Sequence, residues 1–352
     1  MAEPFEPDPT HIGGGTDLSK EHAIGAGEVT VVGAGICGTW TALLLAEAGL
    51  RVTVHERGGP DLASSTSHWA GGMVAPGCES DGAEPVVVRL GRRSLDLWRK
   101  HLPDVPMNGS LVVAHPRDRG DLDRFARQTV GHRTVGEAEI ADLEPALAGR
   151  FHTGLLFPDE GHVEPRAVLP ALRERLERHG GTIRFGSPLD PAEATGLVVD
   201  CRGIVARDAF PDLRGVKGET VQIETAEIAL ARPVRLMHPR WPIYVIPRPG
   251  HRFLIGATSV ESEDVSGVAL RSALELMSAA YALHPAFGEA RIVEIGTALR
   301  PALRDNAPRI EARDGRIAVN GLYRHGFLLA PALAEIVAGY VTTGARDDEV
   351  MR

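Results

Sequence analysis

Gly33, Gly35 and Gly38, followed by Glu56, are the residues whose types and spacing most directly imply chemistry. They read G-x-G-x-x-G between an apolar run and a helix-forming stretch. The first glycine permits a tight turn, the second lets backbone approach a pyrophosphate, and the third lets helix pack on strand. The pyrophosphate charge then rests on a helix N-terminus. Glu56, at the end of the next strand, suits a grip on ribose hydroxyls and repels a 2′-phosphate, which disfavours NADP. The motif predicts dinucleotide binding and leaves FAD or NAD open. Cys37, inside it, reads as a small packing residue rather than a nucleophile.

Two features favour FAD. The segment SSTSHWAGGMVAP supplies hydroxyls from Ser64 to Ser67 and then the small pair Gly71 and Gly72, with room for a large flat group. No second G-x-G-x-x-G follows, which argues against a reductase holding FAD and NAD(P)H together.

Two arginines stand in apolar settings, Arg300 in EIGTALRPAL and Arg324 in NGLYRHGFLLAP. A buried guanidinium needs a carboxylate, from the protein or from a ligand, and its planar fork matches one bidentately. Tyr244, in PIYVIPR, could close the same pocket with its hydroxyl or stand as an ordinary strand residue. Gly326, Phe327, Leu328 and Leu329 precede a helix expected to start near Ala330. A helix start there would stabilise the anionic N1–O2 edge of a reduced flavin. The histidines show no H-x-x-x-H or H-E-x-x-H spacing, so no metal site is expected.

The elements that must position these residues follow from the pattern. Val29–Val32, Ile36–Ala48 and Arg51–Glu56 form one βαβ unit, with Gly49 closing the helix. Helices are expected in GRRSLDLWRKHLP, RGDLDRFARQTVG, EAEIADLEPALAG, EPRAVLPALRERLERHGG and VALRSALELMSAAYALHP. Short strands are expected in NGSLVVAH, TIRFG and GLVVDCRG, and longer antiparallel ones in ETVQIETAEIAL, PIYVIPR and RFLIGAT. The 352 residues include 40 Gly and 25 Pro, 43% are apolar and only 5% aromatic, which fits an α/β protein built on Ala, Val, Leu and Ile. A net charge of −9 without a basic run argues against nucleic acid and anionic membranes. Cys37, Cys78 and Cys201 are odd in number and far apart, so no disulfide framework is expected and a reducing cytoplasm is the natural setting. No apolar run reaches the ~18 residues of a membrane span, and residues 1–27 read as a disordered leader.

Together VVGAGICG with Glu56, SSTSHWAGGMVAP, RGVKGE at 214–219, YVIPR followed by LIGAT, LRPALRDNAP and LYRHGFLLAPALAE resemble the D-amino-acid oxidase family of flavoproteins, and within it the glycine oxidases of thiamine synthesis. The resemblance runs over about residues 29–340. It implies a Rossmann-like, glutathione-reductase-type FAD-binding domain (28–85, 150–215 and 295–345) interleaved with an antiparallel-sheet substrate domain (86–149 and 216–294). It implies that Gly33, Gly35, Gly38 and Glu56, with Ile36, Cys37 and Arg57 beside them, bind the ADP half of FAD. Ser64, Ser65, Gly72 and Met73 would lie along the ribityl and ring, Leu189 beside the adenine, and Gly326, Phe327, Leu328 and Leu329 at the flavin N1–O2 edge. Arg300 would grip a substrate carboxylate, Tyr244 would assist, and Arg324 would border the pocket. No cysteine follows Cys201, so the relatives' cysteinyl attachment is missing and FAD is expected to be noncovalent.

The implied activity is oxidative deamination of a small amino acid with oxygen as acceptor, giving an imino acid that feeds thiazole synthesis. Ser259 departs from the pattern, standing where glycine oxidases have a large apolar residue, and Pro242 stands where they have a polar ring. Glycine, sarcosine and small D-amino acids therefore all remain candidates. A quinone-linked dehydrogenase and a noncatalytic FAD-binding protein are the competing readings; a homo-oligomer is possible in any of them.

Overall fold

The computed structural model describes residues 27–238, 240 and 242–352. The leader expected over 1–27 lies outside them, Gly27 apart. The first half of the chain runs β1 (Glu28–Val32), α1 (Ile36–Glu47), β2 (Arg51–His55), β3 (Met73–Val74), α2 (Pro85–His101), β4 (Ser110–Ala114), α3 (Arg119–Gln128), β5 (Arg133–Gly136), α4 (Glu137–Leu143), β6 (Thr153–Phe157), β7 (Gly161–His162) and α5 (Pro165–Arg178). The second half runs β8 (Thr182–Arg184), β9 (Leu197–Asp200), β10 (Arg214–Glu224), β11 (Val234–Met237), β12 (Ile243–Arg248), β13 (Arg252–Gly256), α6 (Leu270–Leu283), β14 (Arg291–Ala302), β15 (Arg309–Arg313), β16 (Arg316–Asn320) and α7 (Gly326–Thr343).

Two large sheets carry the molecule. The first has the order β15-β16-β9-β1-β2-β8, parallel except for the β15–β16 hairpin at its edge. β1 is its centre because Val29, Val31 and Val32 bury both faces of one strand. The second has the order β14-β10-β13-β12-β11-β4-β6-β5, antiparallel except where β11 meets β4. A two-stranded ribbon pairs Met73 with His162 between them.

α1 is apolar nearly all round, as a helix enclosed by other elements must be. It packs on α5 and α7, and Trp40 meets Trp98 of α2 edge to face at 5.1 Å. α2 thus belongs to the first core, although the expected boundaries gave residues 86–149 to the substrate domain. β6 and β14 depart in the opposite sense, since their ladders put both wholly in the second sheet. Pairing partners lie far away in the chain, and local pattern does not encode them.

α7 starts at Gly326, not near Ala330. Pro331 lies inside it and supplies no N–H to the carbonyl one turn earlier, that of Phe327. That carbonyl accepts instead from Trp98 Nε1 at 3.0 Å. The helix is long and apolar enough to cross a membrane, but here it is a core helix packed on α1 and α2. Trp98→Phe keeps an aromatic ring and removes the donor. It should cost about 1–3 kcal/mol in a denaturant titration, the penalty of a buried carbonyl left unpaired; an unchanged midpoint would refute this account of the Pro331 turn.

Candidate functional site

The β1–α1 turn is built for close approach. Gly33 has φ +100°, and a Cβ there would sit 2.6 Å from the Cys201 carbonyl oxygen; at Gly38 it would sit 1.8 Å from the Gly33 carbonyl. α1 begins with Gly35 at its N-cap, with no side-chain cap and no acid in its first turn, so its positive end is open to an anion. Glu56 is buried and fixed by N–H donors from Ala34 and Gly58, both at 2.8 Å. Ser67 Oγ accepts from Ile36 N at 3.0 Å, tying the 64–76 segment to the helix start.

A continuous cleft is lined by Glu56, Arg57 and Leu189, by Gly33, Gly35, Ile36 and Cys37, and by Ser64, Ser65, Gly72 and Met73. It continues past Gly326 and Phe327 to Tyr244, Arg300 and Arg324. An open helix end, a fixed carboxylate, a run of hydroxyls and the apolar walls of Met73, Ile246 and Leu254 make a donor set that fits FAD. Leu328 and Leu329 are exceptions: they are buried in the first core and do not line the cleft. The earlier start of α7 turns them inward. Gly38 also stays out of the cleft and serves the turn. The fold brings together two of the three distant cysteines, with Cys37 and Cys201 Sγ 3.8 Å apart as free thiols.

The far end of the cleft holds the charged groups. Arg300, on β14 opposite Val216 of β10, donates from Nη1 to the Thr258 carbonyl at 2.9 Å. Among the described residues it makes no ion pair. A Cβ on Gly218 would lie 2.3 Å from Arg300 Nη2, so the guanidinium rests directly on the β10 backbone. Burial, together with repulsion from Arg324, pushes its pKa down to about 10.

Arg324 is paired. Its Nε lies 3.0 Å from Oε2 of Glu79, so here the protein supplies the carboxylate. Glu79 is only 7% exposed, yet it lines the cleft. The Tyr244 hydroxyl donates to Glu79 Oε1 at 2.8 Å and accepts from Arg235 Nη1 at 2.9 Å. Tyr244 is thus committed inside the protein rather than free to close on a ligand carboxylate. His325 Nδ1 stands 3.3 Å from Glu79 Oε2, and burial lowers the His325 pKa. Burial alone would raise the Glu79 carboxyl, but Arg324, His325 and Arg235 outweigh it and hold it well below the usual carboxylate range.

Glu160, beside this cluster, goes the other way. It accepts from Cys78 N at 2.7 Å, and burial raises its pKa to about 7. Sequence reasoning missed Glu79, Glu160 and Tyr323. The one available signal was that an arginine in an apolar sequence setting calls for an acid, with nothing local to say which; in the structure Arg324 is itself exposed on the cleft wall. Tyr323 reaches Ser259 across the cleft, hydroxyl to hydroxyl at 3.1 Å, so the small residue at 259 makes a polar contact. Pro242 is exposed and does not line the cleft.

Comparison with known proteins agrees with this geometry. The family described as FAD dependent oxidoreductase matches residues 28–340. The chain is 48% identical over 316 residues to a Rhizobium etli protein described as a thiamine biosynthesis oxidoreductase, covering 90% of this chain and 96% of that one. It is 32% identical to a D-amino-acid oxidase of Streptomyces coelicolor, covering 88% and 93%. Its fold matches the crystal structure of glycine oxidase from Geobacillus kaustophilus with a TM-score of 0.75 at 24% identity, covering 89% and 94%.

Two outcomes follow from this geometry. Gly218→Ala should displace the Arg300 guanidinium and weaken binding of small carboxylates about tenfold or more, while the visible spectrum of bound FAD stays intact; unchanged carboxylate titrations would contradict it. Glu160 holds a stabilising proton that is fully present below the unfolded carboxyl pKa of about 4.3 and is lost as pH rises through about 7. Relative to Glu160→Gln, the wild type should therefore lose up to about 3 kcal/mol between pH 5 and pH 8, read from denaturant midpoints. Parallel pH profiles would refute the assignment.

Proposed function

The chain belongs to the FAD-dependent oxidoreductase family, and from that premise we propose that it oxidises a small amino acid, glycine foremost, to an imino acid, with hydrogen peroxide as co-product. The imino acid hydrolyses to glyoxylate and ammonia or is passed to thiazole synthesis, in keeping with the description of the Rhizobium etli relative. The observation that carries this reading is Arg300, half-buried at the cleft wall with, among the described residues, only a neutral carbonyl oxygen as hydrogen-bond partner. A ligand carboxylate is the partner such a fork calls for.

Bound FAD supplies the acceptor chemistry: two electrons and two protons leave the amino acid, and oxygen takes them up as hydrogen peroxide. The protein's own work is orientation. Arg300 holds the carboxylate, and Gly218 and Thr258 hold Arg300. Tyr323 and Ser259, joined hydroxyl to hydroxyl, edge the cleft on the amine side of the pocket. Glu79 is committed to Arg324 and Tyr244, so it offers no free base to an ammonium. The substrate amine therefore reacts in its neutral form, and turnover rises toward alkaline pH. FAD is held noncovalently, and the protein works in the cytoplasm.

Purified holoenzyme should release peroxide in air with glycine, and with sarcosine or D-alanine at lower kcat/KM. Under anaerobic conditions glycine should bleach the flavin spectrum. Dye reduction without peroxide would identify a dehydrogenase, and no bleaching with any small amino acid would identify a noncatalytic flavoprotein. Arg300→Ala should raise KM about 10- to 100-fold with FAD retained, the loss expected of one charge-assisted contact. If FAD is lost instead, the role given to Arg300 is wrong.

A further inference from the structure

Two guanidinium groups line the same end of the cleft, and two arginines on one wall would ordinarily favour a substrate with two carboxylates. Here they are not equivalent. Arg300 has no carboxylate partner among the described residues, whereas Arg324 is held by Glu79 at 3.0 Å. Both oxygens of Glu79 are in use, Oε2 by Arg324 and Oε1 by the Tyr244 hydroxyl proton at 2.8 Å. The Tyr244 oxygen in turn already accepts from Arg235, which is stacked between the Phe125 and Tyr244 rings. Tyr244 thus has no proton to give a substrate, and Arg324 has its charge matched.

Resting on the amino-acid reading above, we propose that Glu79 is the specificity-determining residue that limits this pocket to substrates bearing a single anionic group. A first carboxylate meets Arg300 and is bound. A second, reaching for Arg324, must displace or face the Glu79 carboxylate, which lines the same wall. Like charge placed against the wrong ligand is an efficient way to reject it, because the penalty falls only on that ligand. Glycine, sarcosine and small neutral amino acids fit this arrangement; acidic amino acids and iminodicarboxylates do not. Burial keeps the effect from being screened, since water reaches little of Glu79.

The test is equilibrium binding to the holoenzyme, read from perturbation of the flavin absorbance by acetate and malonate, which carry one and two carboxylates and no amine to oxidise. Wild type should bind acetate at least about tenfold more tightly than malonate, and Glu79→Gln should shift that ratio about tenfold or more toward malonate. Adding Arg324→Gln to Glu79→Gln should remove the gain. A wild type that binds malonate as tightly as acetate, or a Glu79→Gln ratio that does not move, overturns the proposal.

Should Glu79→Gln fail to retain FAD, Arg324→Gln alone decides. It removes the guanidinium ion-paired with Glu79 on the wall that Arg300 shares, so acetate should bind about tenfold more weakly, while Arg324→Lys, which keeps the charge, should bind it nearly as wild type does. Acetate binding unchanged in Arg324→Gln overturns the proposal. Glycine oxidation with an unmoved binding ratio overturns only the role of Glu79. A wild type that neither bleaches with any small amino acid nor responds to acetate overturns the amino-acid reading itself.

Discussion

A half-buried guanidinium with no carboxylate partner among the described residues is the constraint on this end of the cleft, and the second sheet is arranged to hold it. Desolvating such a group costs several kcal/mol, and Arg324 adds repulsion from a second cation. Three features make Arg300 tolerable. Thr258 offers its carbonyl, Gly218 lets the fork lie on the β10 backbone, and Glu219 fixes the Thr258 segment. The last is a closed loop of bonds: Glu219 N donates to Thr258 Oγ1, Thr258 Oγ1 donates to Glu219 Oε2, and Ala269 N donates to Glu219 Oε1. The RGVKGE segment therefore combines a residue that must be small, Gly218, with a buried acid, Glu219, at adjacent positions of one strand.

Two acids near this end have their pKa values moved in opposite directions by their surroundings. Glu79 has cations on several sides and stays ionised; Glu160 has mainly the Cys78 N–H and an apolar enclosure, and its pKa rises to about 7. Their mutual repulsion raises Glu160 further, so the low value of one helps to set the high value of the other. Only one of the two can serve as a counterion, and it is the one facing the cleft. That asymmetry gives Arg324 and Arg300, alike in sequence setting, different partners.

The legible parts of the sequence were those written locally. G-x-G-x-x-G, the strand before it and the helix after it lie in one short stretch, and each residue states its own requirement. Arg300 and Arg324 stood out because charge in an apolar setting is informative by itself. Which of the two has a protein carboxylate was not legible, because Glu79 lies in a single 3-10 turn (Cys78–Ser80) after β3, far from both in the chain. The start of α7 was misplaced for a local reason: Pro331 looks like a helix boundary, and only the Trp98 indole, from another helix, shows how the interior proline is accommodated. The division of β6 and α2 between the two cores failed similarly, since a strand declares that it will pair but not with which partner.

Interleaving the two sheets has a mechanical consequence for the cleft. The 64–76 segment belongs by chain order to the first sheet, yet the second sheet grips it. Arg248 of β12 is buried and donates to the carbonyls of Gly71 and Val163 at 2.6 and 2.9 Å, with Glu164 as its counterion at 2.7 Å. Thr66 Oγ1 donates to the carbonyl of Leu299 at 2.7 Å, the residue next to Arg300. The same segment reaches back to the α1 start through Ser67. One short stretch therefore spans from the open N-terminus of α1 to the strand that carries Arg300. The separation between the α1 start and Arg300 is then tied by side-chain hydrogen bonds of Arg248, Thr66 and Ser67 and not only by the packing of two sheets, so the two ends of the cleft are held to each other through one segment.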